Sequence, residues 1–104
     1  MGKRKVLTEK QIKNTPLPGP GQLFGVAKKM VGNDRIVVLC TDRYTRTCRI
    51  KGKMRRRTWI RLGDAVVVEL WGFQDETKGD IVGRYVASQK EWLREHGHLP
   101  EWIL

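Results

Sequence analysis

Arg35-Ile36-Val37-Val38-Leu39-Cys40-Thr41-Asp42-Arg43-Tyr44-Thr45-Arg46-Thr47-Cys48-Arg49-Ile50 reads as two short strands joined by a tight turn. The first six residues are a compact, β-branched run, and Asp42-Arg43 is a turn signal. Thr45 to Lys51 then alternates, with Cys48 and Ile50 on one face and Thr47, Arg49 and Lys51 on the other. Alternation follows because successive side chains of a strand point to opposite sides.

The same texture extends in both directions. Upstream, Gln22 to Met30 is a strand with a glycine, Gly25, at its centre, and Gly32-Asn33-Asp34 turns it into the next. A glycine inside a strand marks a bend or bulge, which a small barrel needs in order to close. Downstream, Gly52 to Leu62 is a basic connection. Gly63-Asp64 turns into Ala65 to Trp71, where Val66, Val68 and Leu70 share a face. Asp75 to Asp80 reads as a polar loop and Ile81 to Val86 as the fifth strand. Ser88 and Glu91 have capping-box spacing, Gln89 to His96 is helix-compatible, Gly97 suits a left-handed terminus and Pro100 bars continuation. Met1 to Gly21 lacks apolar periodicity and ends in Pro16-Leu17-Pro18-Gly19-Pro20-Gly21. Short, evenly spaced strands with turns between them predict an all-β protein: a five-stranded OB-fold barrel. The expected organisation is a flexible basic N-terminal arm over 1–21, a barrel over 22–87, and a short C-terminal helix with a tail over 88–104.

A chain of 104 residues suits one domain. Its formal net charge is +10 at pH 7, and the distribution says more than the total. Arg43 to Arg61 holds Arg43, Arg46, Arg49, Lys51, Lys53, Arg55, Arg56, Arg57 and Arg61 with no Asp or Glu, whereas Leu62 to Leu104 is net acidic. Such a local excess needs a polyanion or carries self-repulsion. Nucleic acid is the common partner and an anionic membrane surface the rarer one. A merely solvated charged face would have acidic residues interspersed. No apolar run is long enough to cross a bilayer and no secretory h-region follows Lys3-Arg4-Lys5. Gly2 invites a myristoylation reading, against which stand the basic tripeptide and Val6. Cys40 and Cys48 are too few for a zinc site unless both histidines join, and His96 and His98 fit no finger spacing. They are expected as buried free thiols in a reducing, cytoplasmic setting, with no metal and no cofactor.

The most informative stretch for function is Arg49 to Arg61. Basic side chains grip phosphates without reading sequence, and arginine also stacks on bases. Trp59, at the edge of the run, offers a π-face to an unpaired base; alternatively it anchors the return into the fourth strand. Tyr44 is a second candidate stacker, although a tyrosine flanking a turn as often serves packing. An RNA-processing enzyme would need a nucleophile with a base, paired carboxylates or a metal cluster. Only Asp64, Asp75, Glu76 and Asp80 are candidates, all in turns, so no catalytic residues and no enzymatic activity are expected.

Lys51-Gly52-Lys53-Met54-Arg55-Arg56-Arg57-Thr58-Trp59-Ile60 resembles the basic signature of the translation initiation factor 1A family. Gly32-Asn33, Cys40 with Asp42, Arg46-x-Cys48-x-Ile50, Gln74-Asp75, Tyr85 and Leu99-Pro100-Glu101 extend the likeness over roughly Gln22 to Glu101. The resemblance implies an S1-like OB barrel on the small ribosomal subunit, at the A site, contacting ribosomal RNA. It implies promotion of initiator tRNA and mRNA binding, beside another small initiation factor and a subunit-joining GTPase. It maps RNA contacts onto Arg46, Lys51, Lys53, Arg55, Arg56, Arg57 and Trp59. Eukaryotic members carry a long acidic C-terminal tail and a longer arm; this compact form is similar to the archaeal branch. A general single-stranded RNA chaperone of cold-shock type is the alternative, and a monomer is expected. The apolar end Trp102-Ile103-Leu104 either docks on a partner or folds back on the barrel.

Overall fold

The computed structural model describes residues 15–32, 35–50, 60–72 and 76–104. Five strands, β1 (Gln22–Met30), β2 (Arg35–Cys40), β3 (Thr45–Ile50), β4 (Ala65–Leu70) and β5 (Lys78–Arg84), precede a helix, α1 (Ala87–Glu95), and a 3₁₀ turn at Glu101–Ile103. The strands close into a barrel in the order β1-β2-β3-β5-β4. Every pairing is antiparallel except the parallel β3–β5 pair that helps complete the closure.

Closure depends on β1 serving two neighbours. Its first half pairs with β4, from Gln22 to Val26, and its second half with β2, from Gly25 to Met30. A register shift between Ala27 and Lys29 lets the strand swing from one partner to the other. The expected irregularity in β1 is therefore present, but the shift lies beyond Gly25. Gly25 serves a close approach instead: a Cβ there would lie 2.4 Å from Val38 Cγ1 and 3.3 Å from the Leu39 carbonyl oxygen.

Two apolar clusters use opposite faces of the same strands. Inside the barrel lie Ala27, Ile36, Val38, Cys40, Cys48, Ile50, Ile60, Val66, Val68 and Ile81. Outside it, Val26, Ala65 and Tyr85 are covered by Leu93, Leu99 and Ile103. The second cluster decides where the C-terminal residues go. Ile103 is fully buried, so the tail folds back on the barrel, leaving Trp102 and Leu104 partly exposed. Arg43 lies over the Trp102 ring at 4.3 Å from its centroid, and Lys28 Nζ donates to the Leu104 oxygen at 3.1 Å.

Two expectations are corrected. β5 begins at Lys78, inside the stretch read as a polar loop, and ends at Arg84. Gly79 explains this: it lies opposite Cys48 and Leu70, where a Cβ would come 2.7 Å from Val68 Cγ1. A small residue and a buried Asp80 carry no period-2 signal. The helix also starts earlier than expected, with Val86 as its N-cap. Its amide donates to Gln89 Oε1 at 3.0 Å, so Gln89, not Glu91, reaches back to the cap. The C-terminus is as expected. Gly97 has φ +79, its amide donates to the Arg94 carbonyl, and His98 N–H to that of Leu93, a Schellman closure.

The N-terminal boundary has structure of its own. Thr15 is buried. The Tyr85 hydroxyl donates to the Pro16 carbonyl at 2.6 Å, and the Leu70 amide to that of Gly21. Residues 15–21 thus rest on the barrel, while 1–14, the basic part of the arm, lie outside the described residues.

Candidate nucleic-acid interface

The β2–β3 turn is built by its own side chains. The Arg43 amide donates to the Cys40 carbonyl and the Cys40 amide to that of Tyr44, which closes a three-residue loop. That geometry places Arg43 at φ 72, a left-handed conformation. Asp42 Oδ1 accepts from the Tyr44 amide at 3.1 Å. It also accepts from Arg46 Nη1 at 2.9 Å, while Oδ2 accepts from Nη2 at 2.8 Å.

Arg46, one of the expected RNA contacts, is therefore turned inward. It alternates with Cys48 and Ile50 on the interior face of β3, and its side chain is 6% exposed. Burial works to raise the Asp42 carboxyl, but the hydrogen bonds from Arg46 and the Tyr44 amide prevail and hold it below its ordinary value. The same pair raises the Arg46 guanidinium, so both charges persist. Tyr44 is 55% exposed, with the Arg46 guanidinium 5.4 Å from its ring centroid.

The other expected contacts, Lys51, Lys53, Arg55, Arg56, Arg57 and Trp59, lie outside the described residues. Both ends of their connection are fixed. Ile50, the last residue of β3, and Ile60, just before the return, are buried in the barrel interior. After Ile60, the Arg61 amide donates to Asp64 Oδ2 at 2.8 Å, and Arg84 Nε donates to the same oxygen at 3.1 Å. The amide of Gly63 bonds the Ala27 carbonyl, and the amide of Ala27 the carbonyl of Asp64. Asp64 thus works as scaffold for the root of the basic connection.

Next to that root the outer surface of the sheet is basic. Arg35 of β2 lies opposite Arg49 of β3, both exposed. Arg49 Nε sits 3.4 Å from the buried Asp80 carboxylate on β5. Asp80, read from the sequence as a turn residue, is a strand residue facing arginine. Sequence reasoning passed over Trp71, which has Arg49 and Lys78 over its ring; an aromatic ending a strand beside a polar loop was the available signal.

Cys40 and Cys48 are buried free thiols. Burial pushes Cys48 up to about 12 and raises Cys40, which keeps both protonated and unreactive. Among the described residues no group of three His, Cys, Asp or Glu side chains is placed to hold a metal ion, and no helix is long and apolar enough to cross a membrane.

A closed five-stranded barrel, with a parallel β3–β5 pair and a basic connection rooted at the end of β3, defines an OB-fold protein. The chain belongs to the translation initiation factor 1A / IF-1 family, which matches residues 12–103. Translation initiation factor 1A of Methanopyrus kandleri is 48% identical over 103 residues, covering 99% of this chain and 90% of that protein. The Pyrococcus abyssi protein of the same name is 45% identical, covering 97% and 88%. The solution structure of translation initiation factor IF-1 from the Wolbachia endosymbiont of Brugia malayi has TM-score 0.50 and 25% identity, over 64% of this chain and 78% of its own.

Proposed function

We propose that this protein binds the small ribosomal subunit at its A site through ribosomal RNA, and promotes binding of initiator tRNA and mRNA. The contact surface is the connection carrying Lys51, Lys53, Arg55, Arg56, Arg57 and Trp59. Arg46 acts through the turn it braces with Asp42. The observation that carries the reading is the run of nine basic residues, with no carboxylate among them, from the β2–β3 turn through β3 and along the connection leaving it. That is a binding side of an OB barrel. Family membership supports ribosomal RNA as the polyanion. Another small initiation factor and a subunit-joining GTPase are the proposed neighbours, with cytoplasmic action and a monomeric chain.

Phosphate contacts release counterions, so affinity falls with salt in proportion to their number. Co-sedimentation with purified small subunits at rising salt is the direct test. Replacing Arg55, Arg56 and Arg57 together by Ala is expected to flatten the log–log salt slope, on single-stranded RNA, by roughly 0.7 for each phosphate no longer neutralised. The melting temperature should hold. An unchanged slope would place the contact surface elsewhere. Equal affinity for free single strands and for subunits would instead mark a general RNA chaperone.

A further inference from the structure

Trp71 belongs to neither apolar cluster among the described residues, although it is only partly exposed. Its backbone is held: Leu70 before it packs against the barrel interior and donates its amide to Gly21. What lies over the indole is cationic. The Arg49 guanidinium and the Lys78 ammonium are each 5.8 Å from the ring centroid. That is close to the outer limit of a cation–π contact, about 6 Å, so neither holds the ring strongly. A large aromatic that joins neither cluster among the described residues, with the residue before it anchored to the barrel, presents its ring for contact.

Its surroundings indicate what. Arg49 and Lys78 project from adjacent parallel strands, and Arg49 stands next to Ile50, where the basic connection begins. Among the described residues, three carboxylates are near in the fold. Asp80 is buried beside Arg49 and Glu69 is half-buried, whereas the Arg49 side chain is 53% exposed and Lys78 is exposed. Glu76 is exposed in the turn before β5. On the sheet itself, then, the cations stand outermost. An aromatic π-face with two outward cations matches an unpaired nucleobase and its flanking phosphates.

We propose that Trp71, with Arg49 and Lys78, is a base-stacking site for single-stranded RNA adjoining the basic connection. The site extends the RNA surface across the β3–β5 seam and rests on the proposed RNA binding by that connection. A strand leaving the connection would pass Arg49 and place a base on the indole.

The test uses the full chain labelled with 5-fluorotryptophan, the Trp71 signal being assigned with Trp71→Phe. Titration with oligoadenylate of about twelve nucleotides, within the usual span of an OB site, is expected to shift that signal in step with binding. Trp71→Ala should weaken binding about tenfold, and Trp71→Phe should recover most of it. Binding that leaves the Trp71 fluorine signal unmoved overturns this site alone. So does unchanged affinity in Trp71→Ala. Should Trp71→Ala fail to fold, Trp71→Phe and the fluorine shift still decide. No RNA binding by the parent chain overturns the whole RNA reading, a different and recognisable result.

Discussion

A single carboxylate organises the β2–β3 turn. Asp42 accepts from both terminal nitrogens of Arg46 and from the Tyr44 amide, and so fixes the position of Arg43. Arg43 carries a side chain at a left-handed position where glycine is the comfortable choice, and its stacking on Trp102 offsets part of that strain. The energetic weight lies on the buried Arg46, which would be left charged and unpaired without its partner. Asp42→Ala is expected to cost on the order of 2 kcal/mol near neutral pH, as for a lost hydrogen bond to a charged group. The pH dependence follows from a carboxyl held low in the folded state. Its contribution is present above the unfolded value of about 4 and is lost as pH falls through the folded one. The gap between the urea midpoints of parent and variant should therefore hold from neutral pH down to about 4 and close only as pH falls further. A gap that stays constant would mean the pair is not the source.

At the scale of elements, the C-terminal residues form a lid on the outer face of β1 and β4. α1 contributes Leu93, the following loop Leu99, and the 3₁₀ turn Ile103, all packed with Val26, Ala65 and Tyr85. The Trp92 ring stacks on His96 at 4.1 Å between centroids, and Phe24 reaches His98 at 5.8 Å. Burial pushes the Tyr85 hydroxyl up to about 12, so it remains the donor that holds Pro16. Ile103→Ala should destabilise by about 2–5 kcal/mol, the cost of emptying a buried isoleucine site. Affinity for RNA, corrected for the folded fraction, should stay within about twofold, since Ile103 packs in the outer cluster whereas Ile50 and Ile60, at the two ends of the basic connection, lie in the interior one. Thermal melts with RNA titrations check both, and a loss of affinity without a loss of stability would give Ile103 a binding role.

For the molecule as a whole, one sheet serves two cores. β1 and β4 present Ala27, Val66 and Val68 to the interior and Val26 and Ala65 to the lid. Neither cluster can lose its wall without exposing the other. The barrel and its C-terminal lid are accordingly expected to unfold in one transition, with far-UV circular dichroism and tryptophan fluorescence giving coincident midpoints. Separate midpoints would show the lid to be an independent unit. This shared wall also gives the basic connection a rigid mount, because Ile50 and Ile60 at its two ends lie in the same interior cluster.

Much of this was legible along the chain. Alternation in β2, β3 and β4 exposed their inner faces, since Ile36, Val38, Cys48, Val66 and Val68 repeat with the period of the pleat. The charge run marked the side proposed for binding, because nine cations without a carboxylate are a property of the sequence alone. Other features depended on partners far apart in sequence. Lys78 to Asp80 became strand because β3 offered a parallel edge and Gly79 left room for Val68. Arg46 went inside because Asp42 met it there. Ile103 became core only where β1 and β4 turned apolar residues outward, and Trp71 gained its cations from two other strands. Local order reports period and charge; which buried polar group finds a partner, and which outer face finds a cover, is set by contacts that exist only once the barrel has closed.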